Sequence, residues 1–142
     1  MNYFHSFEIS AAGLGMEMLR LQTAALNLAN ANTTFAPGTE PFQPLEVVTP
    51  TLTAAGDGSM ADRLYGPAMS AVVEPRISAP RMEYQPSHPH ANADGFVAHA
   101  DIDVLSEMTA IMRATRAYEA NVKAINAAKA MAQQALEIGS NT

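Results

Sequence analysis

The sequence contains no cysteine and no tryptophan among its 142 residues, and only 6% of the residues are aromatic. Without cysteine, the chain can form neither disulfides nor thiolate metal sites. The apolar fraction is nevertheless 48%, and alanine and methionine supply much of it. Because alanine is the best helix former and methionine fills irregular gaps, this composition favours closely packed helices over a core of aromatic side chains.

Charge and long apolar runs are also scarce. Eight basic and fourteen acidic residues give a net charge of -6, and no Lys/Arg-rich run is present. We therefore expect no nucleic-acid partner and no polybasic membrane-surface segment. No uncharged apolar stretch reaches the roughly 18 residues of a membrane-spanning helix, so direct membrane insertion is not expected. The first basic residue is Arg20, so the N-terminus does not resemble a cleaved signal peptide.

Proline divides the chain into three parts. All nine prolines lie within residues 33–102, and the segments on either side are rich in alanine. We predict an N-terminal assembly helix in residues 1–34, a Pro/Gly-rich insert with short strands in 35–102, and a C-terminal assembly helix in 103–142. The predicted fold class is mainly α, with the long terminal helices forming a coiled-coil-like hairpin around a small irregular or β-rich insert.

The N-terminal helix carries two apolar stripes rather than one. Both alternate steps of three and four residues, which is the heptad rhythm of coiled coils. The first consists of Ile9, Ala12, Met16, Leu19, Thr23 and Leu26, and the second of Leu14, Met18, Leu21, Ala25 and Leu28. A helix packed on one side needs only one stripe, so this helix is expected to have neighbours on several sides. It should end between Asn30 and Thr33, where asparagine can adopt a left-handed cap.

The C-terminal helix repeats this design, with Asp101 or Asp103 as the N-cap. Its first stripe consists of Met108, Ile111, Thr115, Tyr118, Val122, Ile125, Ala132 and Leu136. Its second stripe consists almost entirely of small residues: Ala110, Ala114, Ala117, Asn121, Ala124, Ala128, Met131, Ala135 and Ile138. A partner backbone can approach closely along such a small-residue stripe.

The insert shows weaker signals. Residues 43–48 and 68–77 resemble short strands, with prolines confining them to sheet edges or strand ends. Residues 53–63 are predicted to form a loop. His88, His90 and His99, with Asp94 and Asp101, raise the hypothesis of a metal-dependent enzyme, but their spacing matches no known ligand pattern. A turn built from His88–Pro89 and residues 92–95 explains the segment better, so no metal, cofactor or catalytic site is predicted.

Two further features need an explanation. Gly13 and Gly15 have neither the preceding strand nor the following lysine of a phosphate-binding loop, so they indicate a close helix approach or a hinge. Asn27, Asn30 and Asn32 have two interpretations. Asparagines there can terminate the helix, or they can fix the register between neighbouring helices.

Three segments resemble the flagellar rod and hook protein family. Residues 24–34, AALNLANANTT, resemble the N-terminal signature of that family, and residues 116–131, RAYEANVKAINAAKAM, resemble its C-terminal signature. Between them, residues 88–97, HPHANADGFV, are similar to the segment that marks the C-type proximal rod subunits. The three segments occur in the family's order and cover about half of the chain.

The resemblance implies a structural subunit of the proximal rod of the bacterial flagellar basal body, which polymerises through its terminal helices into a torque-transmitting shaft. Expected partners are copies of itself, other rod subunits, the rod–ring adaptor and the flagellar type III export apparatus. Its expected location is the periplasm-spanning rod, reached without a cleaved signal peptide. The predicted assembly interface consists of Leu14, Met18, Leu21, Leu26, Asn27, Asn30, Asn32, Arg116, Ala117, Tyr118, Glu119, Asn121, Ala124, Asn126 and Met131.

An alternative function is a stand-alone secreted helical-hairpin binding module or an export chaperone. Helices with a single apolar stripe would favour this alternative, and the double stripes argue against it.

Overall fold

The computed structural model describes residues 3–49 and 71–140. Within them, two long α-helices, α1 (Tyr3–Asn30) and α2 (Val104–Ser140), flank five short strands. The strands are β1 (Thr34–Phe35), β2 (Leu45–Val48), β3 (Val72–Pro75), β4 (Arg81–Tyr84) and β5 (Phe96–His99). The prediction of a mainly helical chain with short central strands is confirmed at this level. The loop predicted for residues 53–63 lies outside the described residues.

Helix α1 ends at Asn30, as predicted, but not by the predicted geometry. No residue other than glycine has a positive φ among the described residues, so no asparagine forms a left-handed cap. Instead the chain leaves the helix through tight turns, in which the Ala31 N–H donates to the Leu28 carbonyl (3.3 Å) and the Thr33 N–H to the Asn30 carbonyl (3.1 Å). Such three-residue hydrogen bonds satisfy terminal carbonyls without a left-handed residue.

Helix α2 begins with a side-chain cap. The Leu105 N–H donates to Asp103 Oδ1 at 3.1 Å, and the Glu107 N–H donates to the Asp103 carbonyl at 3.0 Å. Asp103 is therefore the N-cap, and the alternative, Asp101, instead accepts a hydrogen bond from Arg76 through its backbone carbonyl. Glu107, in the first turn, adds a negative charge where the helix dipole favours one.

The strands form two small antiparallel sheets. One has the order β1-β5-β4 and the other consists of β2 and β3. The β2–β3 pair aligns Leu45 with Pro75 and Val48 with Val72, so both strands predicted within residues 43–48 and 68–77 are present. The three-stranded sheet was not predicted from the sequence. Its central strand buries Val97 completely, which anchors this sheet in the fold.

A small core joins the end of α1 to the approach to α2. Ala31, Ala100 and Ile102 are buried together, and the half-buried rings of Phe35 and Phe42 pack against them. Ala31 precedes the insert, and Ala100 and Ile102 lie at its end, so burying them together fixes α1 and the start of α2 relative to the strands.

The two helices pack side by side in opposite directions. Near one end, Gly13 lies so close to α2 that an added Cβ would be 2.9 Å from Asn121 Nδ2. Fourteen residues later, Asn27 donates to Glu107 on α2. The expected close helix approach is therefore found at Gly13, whereas Gly15 has open space around it.

A second glycine, Gly95, closes the loop between β4 and β5. Its φ is +81°, and an added Cβ would be 2.9 Å from Tyr84 Cε2 and 3.2 Å from Pro86 Cβ. Gly95→Ala should therefore lower the free energy of unfolding by at least about 1–2 kcal/mol, the usual cost of this left-handed conformation for an L-residue. Thermal unfolding followed by circular dichroism measures the change.

The matched control is Gly15→Ala, since Gly15 sits in α1 with open space around it. Alanine there should stabilise the chain by up to about 1 kcal/mol through its higher helix propensity. Equal melting temperatures for the two variants would contradict the conformational explanation.

Candidate assembly surface

Asn27 is the most completely bonded polar side chain of the predicted interface. It is 1% exposed, its Oδ1 accepts from the Leu45 N–H at 2.8 Å, and its Nδ2 donates to the Leu45 carbonyl at 2.8 Å. The same nitrogen donates to Glu107 Oε1 at 3.1 Å. Asn27 therefore joins α1, β2 and α2 within one subunit, and in this conformation it is not accessible to a second copy.

The other two asparagines of this segment lie nearer the surface. Asn30 is half-buried and its Nδ2 donates to the Leu26 carbonyl at 2.9 Å, one turn back along α1. Thr33 Oγ1 lies 3.5 Å from Asn30 Oδ1, so Asn30 is part of the helix terminus. Asn32 is exposed. The two interpretations of this segment therefore apply to different residues, with helix termination at Asn30 and cross-element bonding at Asn27.

The apolar members of the predicted interface on α1 point in two directions. Leu14 and Leu21 are half-buried, whereas Met18 is 44% and Leu26 52% exposed. Ile9, in the other stripe, is also exposed. The helix therefore keeps an outward apolar surface after packing against α2 and the strands.

On α2, the predicted interface residues divide in the same way. Ala117, Tyr118 and Asn121 are half-buried. The exposed members are Arg116, Glu119, Ala124, Asn126 and Met131. The side of α2 that faces α1 takes members alternately from the two predicted stripes: Ile111, Ala114, Tyr118, Asn121, Ile125, Ala128 and Ala132 are all buried or half-buried.

The interface prediction omitted an outward stripe near the start of α2. Leu105 is 73% exposed, and Met108 and Met112 are exposed by half or more. These residues are spaced three and four apart, so they lie on one side of the helix. That spacing was visible in the sequence, but only Met108 was assigned to a stripe. Glu107 was also missed, because its partner Asn27 is 80 residues away.

His88, His90 and His99, the histidines of the metal hypothesis, lie on two separate elements and do not converge. His88 and His90 lie edge to face in the loop after β4, with ring centroids 5.4 Å apart, and His90 Nδ1 is 2.9 Å from Thr34 Oγ1 on β1. His99 is buried on β5, with Nε2 3.7 Å from Glu83 Oε2. In residues 3–49 and 71–140, no group of three or more histidine, aspartate or glutamate side chains is arranged to hold a metal ion.

The loop that contains His88 and His90 is organised by its turns. Asn92 Oδ1 accepts from the backbone N–H groups of Asp94 (3.0 Å) and Phe96 (2.9 Å). The Gln85 N–H donates to the Gly95 carbonyl at 2.9 Å. The predicted turn over residues 92–95 is present, and the contact between His90 and Thr34 holds this loop against β1.

These features together define a class of protein. Two long helices lie side by side with apolar residues on their outer surfaces, and Asn27, the most buried polar side chain of the described residues, makes its hydrogen bonds within the subunit. Of the helices in the described ranges, none combines the length and hydropathy needed to cross a membrane. These features are typical of a structural protein rather than of one built around a catalytic or metal site.

Comparisons with known proteins identify the family. Residues 93–138 match the family model described as the C-terminal region of flagellar basal body rod FlgEFG proteins. The chain is 32% identical over 139 residues to the flagellar basal-body rod protein FlgC of Salmonella typhimurium, covering 98% of this chain and 99% of that protein. It is 34% identical over 149 residues to FlgC of Bacillus subtilis, with the same coverage.

The chain therefore belongs to the FlgC family of flagellar basal-body rod proteins. It is a structural component of the basal body rather than an enzyme, and it assembles with other rod components. The resemblance seen in the sequence is confirmed.

Proposed function

We propose that this chain polymerises through its two terminal helices in the proximal rod and so forms part of a torque-transmitting shaft. The main support is the outward apolar surface of both helices. Large apolar side chains remain exposed on α1 and along α2, from Leu105 near its start to Ile138 near its end. Exposed apolar patches on soluble proteins mark interaction sites, and neighbouring subunits would remove these from water.

The helix packing supports a coiled-coil-like hairpin as the assembly unit. On α2, the residues that face α1 step alternately by three and four, which is the heptad spacing. This leaves the remaining members of each predicted stripe for neighbours. We propose that residues 1–34 and 103–142 make the contacts with neighbouring subunits. The insert, residues 35–102, holds these two segments together.

The residues proposed to contact neighbours are the exposed members of the predicted interface. On α1 these include Met18 and Leu26, and on α2 Arg116, Ala124 and Met131. Asn27 is removed from this set because its hydrogen bonds lie inside the subunit, and Leu105, Met108 and Met112 are added to it.

The proposed partners are copies of this chain, the neighbouring rod subunits and the rod–ring adaptor. The proposed route is export by the flagellar type III apparatus without a cleaved signal peptide, to a rod that crosses the periplasm. The alternative of a stand-alone binding module or an export chaperone is not favoured, because the rod protein relatives match almost the entire chain.

Cysteine cross-linking tests the assembly proposal, because the natural chain has no cysteine to give a background. Met18→Cys and Met131→Cys place single thiols on the outer surfaces of α1 and α2. In isolated basal bodies, a bifunctional thiol reagent should join each variant to neighbouring subunits.

The control is Ser87→Cys, an exposed position in the loop after β4. Cross-linking at Ser87→Cys with none at either helix position would show that the insert, and not the helices, forms the subunit contacts.

A further inference from the structure

Strand β2 has one edge that its partner strand does not cover. The Arg76 N–H donates to the Pro44 carbonyl, and Leu45, Glu46, Val47 and Val48 pair in order with Pro75, Glu74, Val73 and Val72. Hydrogen-bonded and non-hydrogen-bonded pairs alternate in an antiparallel ladder. Glu46 and Val48 therefore direct their backbone groups toward β3, while Leu45 and Val47 direct theirs away from it.

At Leu45 this outer edge is already occupied by a peptide-like group. The amide of Asn27 accepts from the Leu45 N–H and donates to the Leu45 carbonyl, both at 2.8 Å. These two hydrogen bonds reproduce those that a strand residue would make. The next outward-facing residue is Val47, and its N–H and carbonyl have no hydrogen-bond partner among the described residues.

Val47 borders a groove of about 390 Å³ between the two helices and β2. Thr23 and Ala24 contribute to the wall formed by α1, and Ala110 and Ala114 to the wall formed by α2. Because these side chains are small, an extended chain can approach the strand edge closely.

The charges of the groove indicate what fits it. Three of the chain's six arginines, Arg20, Arg76 and Arg113, line its walls. Arg20 pairs with Glu17 at 2.9 Å, and Arg76 donates to the Asp101 carbonyl at 3.3 Å. Arg113 is exposed and has no partner in the part of the chain that the structure describes.

The groove also contains three carboxylates. Glu17 is paired with Arg20, and Glu107 accepts from Asn27. Glu46 lies on β2, where its side chain points to the opposite face of the strand from that of Val47. An incoming strand that carries an acidic side chain toward α2 would therefore pair with Arg113.

We propose that this groove binds an extended strand from a second copy of this chain, which adds to the β2 edge at Val47 and places a carboxylate against Arg113. The proposal rests on the proposed function, since a polymer brings a second copy to every interior subunit. The three arginines of the groove are balanced by three glutamates, so the attraction comes from Arg113 alone, and a second copy supplies carboxylates for it because the chain has fourteen acidic residues against eight basic ones. Strand addition of this kind obtains affinity from backbone hydrogen bonds and specificity from flanking side chains.

Val47→Pro tests the strand edge directly. Proline removes the outward N–H of residue 47. The hydrogen bonds between β2 and β3 are kept, because the Val47 N–H does not take part in them, and proline is tolerated at sheet edges. Val73→Pro is the matched control, because Val73 is the partner of Val47 and directs its N–H to the outer edge of β3. Val47→Pro should reduce the number of rods recovered from cells about fivefold to tenfold, because each contact between subunits loses one hydrogen bond. Val73→Pro should leave the number of rods unchanged.

A second variant does not depend on strand geometry. Arg113→Gln should reduce rod recovery in the same direction, whereas Arg81→Gln, which removes the same charge from β4, should not. Normal rod recovery with Val47→Pro and Arg113→Gln overturns the groove proposal and leaves the rod function intact. Equal losses for Val47→Pro and Val73→Pro also overturn it, because the effect would then belong to the sheet in general.

The source of the strand is identified by photo-cross-linking. A benzophenone amino acid in place of Arg20, an exposed residue of the groove wall on α1, leaves Arg113 in place. It should link two copies of this chain in isolated basal bodies, as mass spectrometry of the cross-linked peptides would show. A cross-link within one chain, or to a different protein only, overturns the assignment to a second copy. Failure of the proposed function would look different, because Met18→Cys and Met131→Cys would then give no cross-links to neighbouring subunits.

Discussion

Asn27→Leu is expected to lower the free energy of unfolding of the subunit by about 2–4 kcal/mol. The reason is that leucine leaves the Leu45 N–H and carbonyl without the partners they have at 2.8 Å, and each buried unsatisfied group costs about 1–3 kcal/mol. Leucine has the same number of side-chain heavy atoms as asparagine and is apolar, so part of this cost is offset by apolar burial. Denaturant unfolding of the purified chain, followed by circular dichroism, measures the difference.

Asn32→Leu is the control from the same segment. Asn32 is exposed, and substitutions at such positions usually change stability by no more than about 0.5 kcal/mol. A loss at Asn32→Leu as large as that at Asn27→Leu would show that the segment responds to apolar substitution in general. It would then give no support to Asn27 as the link between α1, β2 and α2.

The parts of the fold that the sequence predicted are those determined by local chemistry. The extent of α2 follows from its freedom from proline and from the Asp103 cap, which bonds within two residues. Strands β2 and β3 follow from valine-rich runs next to prolines. In each case the deciding residues are neighbours in the chain, so the pattern is visible without the fold.

The three-stranded sheet was missed because its members have little local signal. Strand β1 has only two residues, and β4 is exposed along its whole length. Their common partner is β5, which lies more than 60 residues beyond β1. A strand this short gains its stability from a distant partner rather than from its own propensity, so no window of the sequence reveals it.

The role of Asn27 could not be predicted from the sequence for the same reason. The sequence suggested helix termination or a register contact between neighbouring helices, but it did not identify the partners of Asn27, which are 18 and 80 residues away in the same chain. The doubled stripes did indicate helices with neighbours on several sides. They did not show which residues the subunit uses internally, because the α2 surface facing α1 draws on both stripes.

Ala124→Leu is expected to abolish rod assembly while the subunit still folds. Ala124 belongs to the small-residue stripe of α2 but is exposed in the single chain. A leucine side chain therefore fits at this position in the isolated subunit and clashes only when a neighbouring subunit packs against it. Forcing extra carbons into a tight interface costs about 1–3 kcal/mol, and in a polymer this cost recurs at every subunit. Swimming in soft agar and electron microscopy of isolated basal bodies measure the loss.

Two substitutions of the same size establish where the effect arises. Ala114 is only 3% exposed, so Ala114→Leu should disturb packing inside the subunit and lower its melting temperature, which Ala124→Leu should leave unchanged. Ala120 is exposed and lies outside both predicted stripes, so Ala120→Leu should preserve rods and swimming. Normal swimming with Ala124→Leu would mean that no neighbour approaches α2 closely along this stripe, because an interface packed against alanine has no space for three additional carbons.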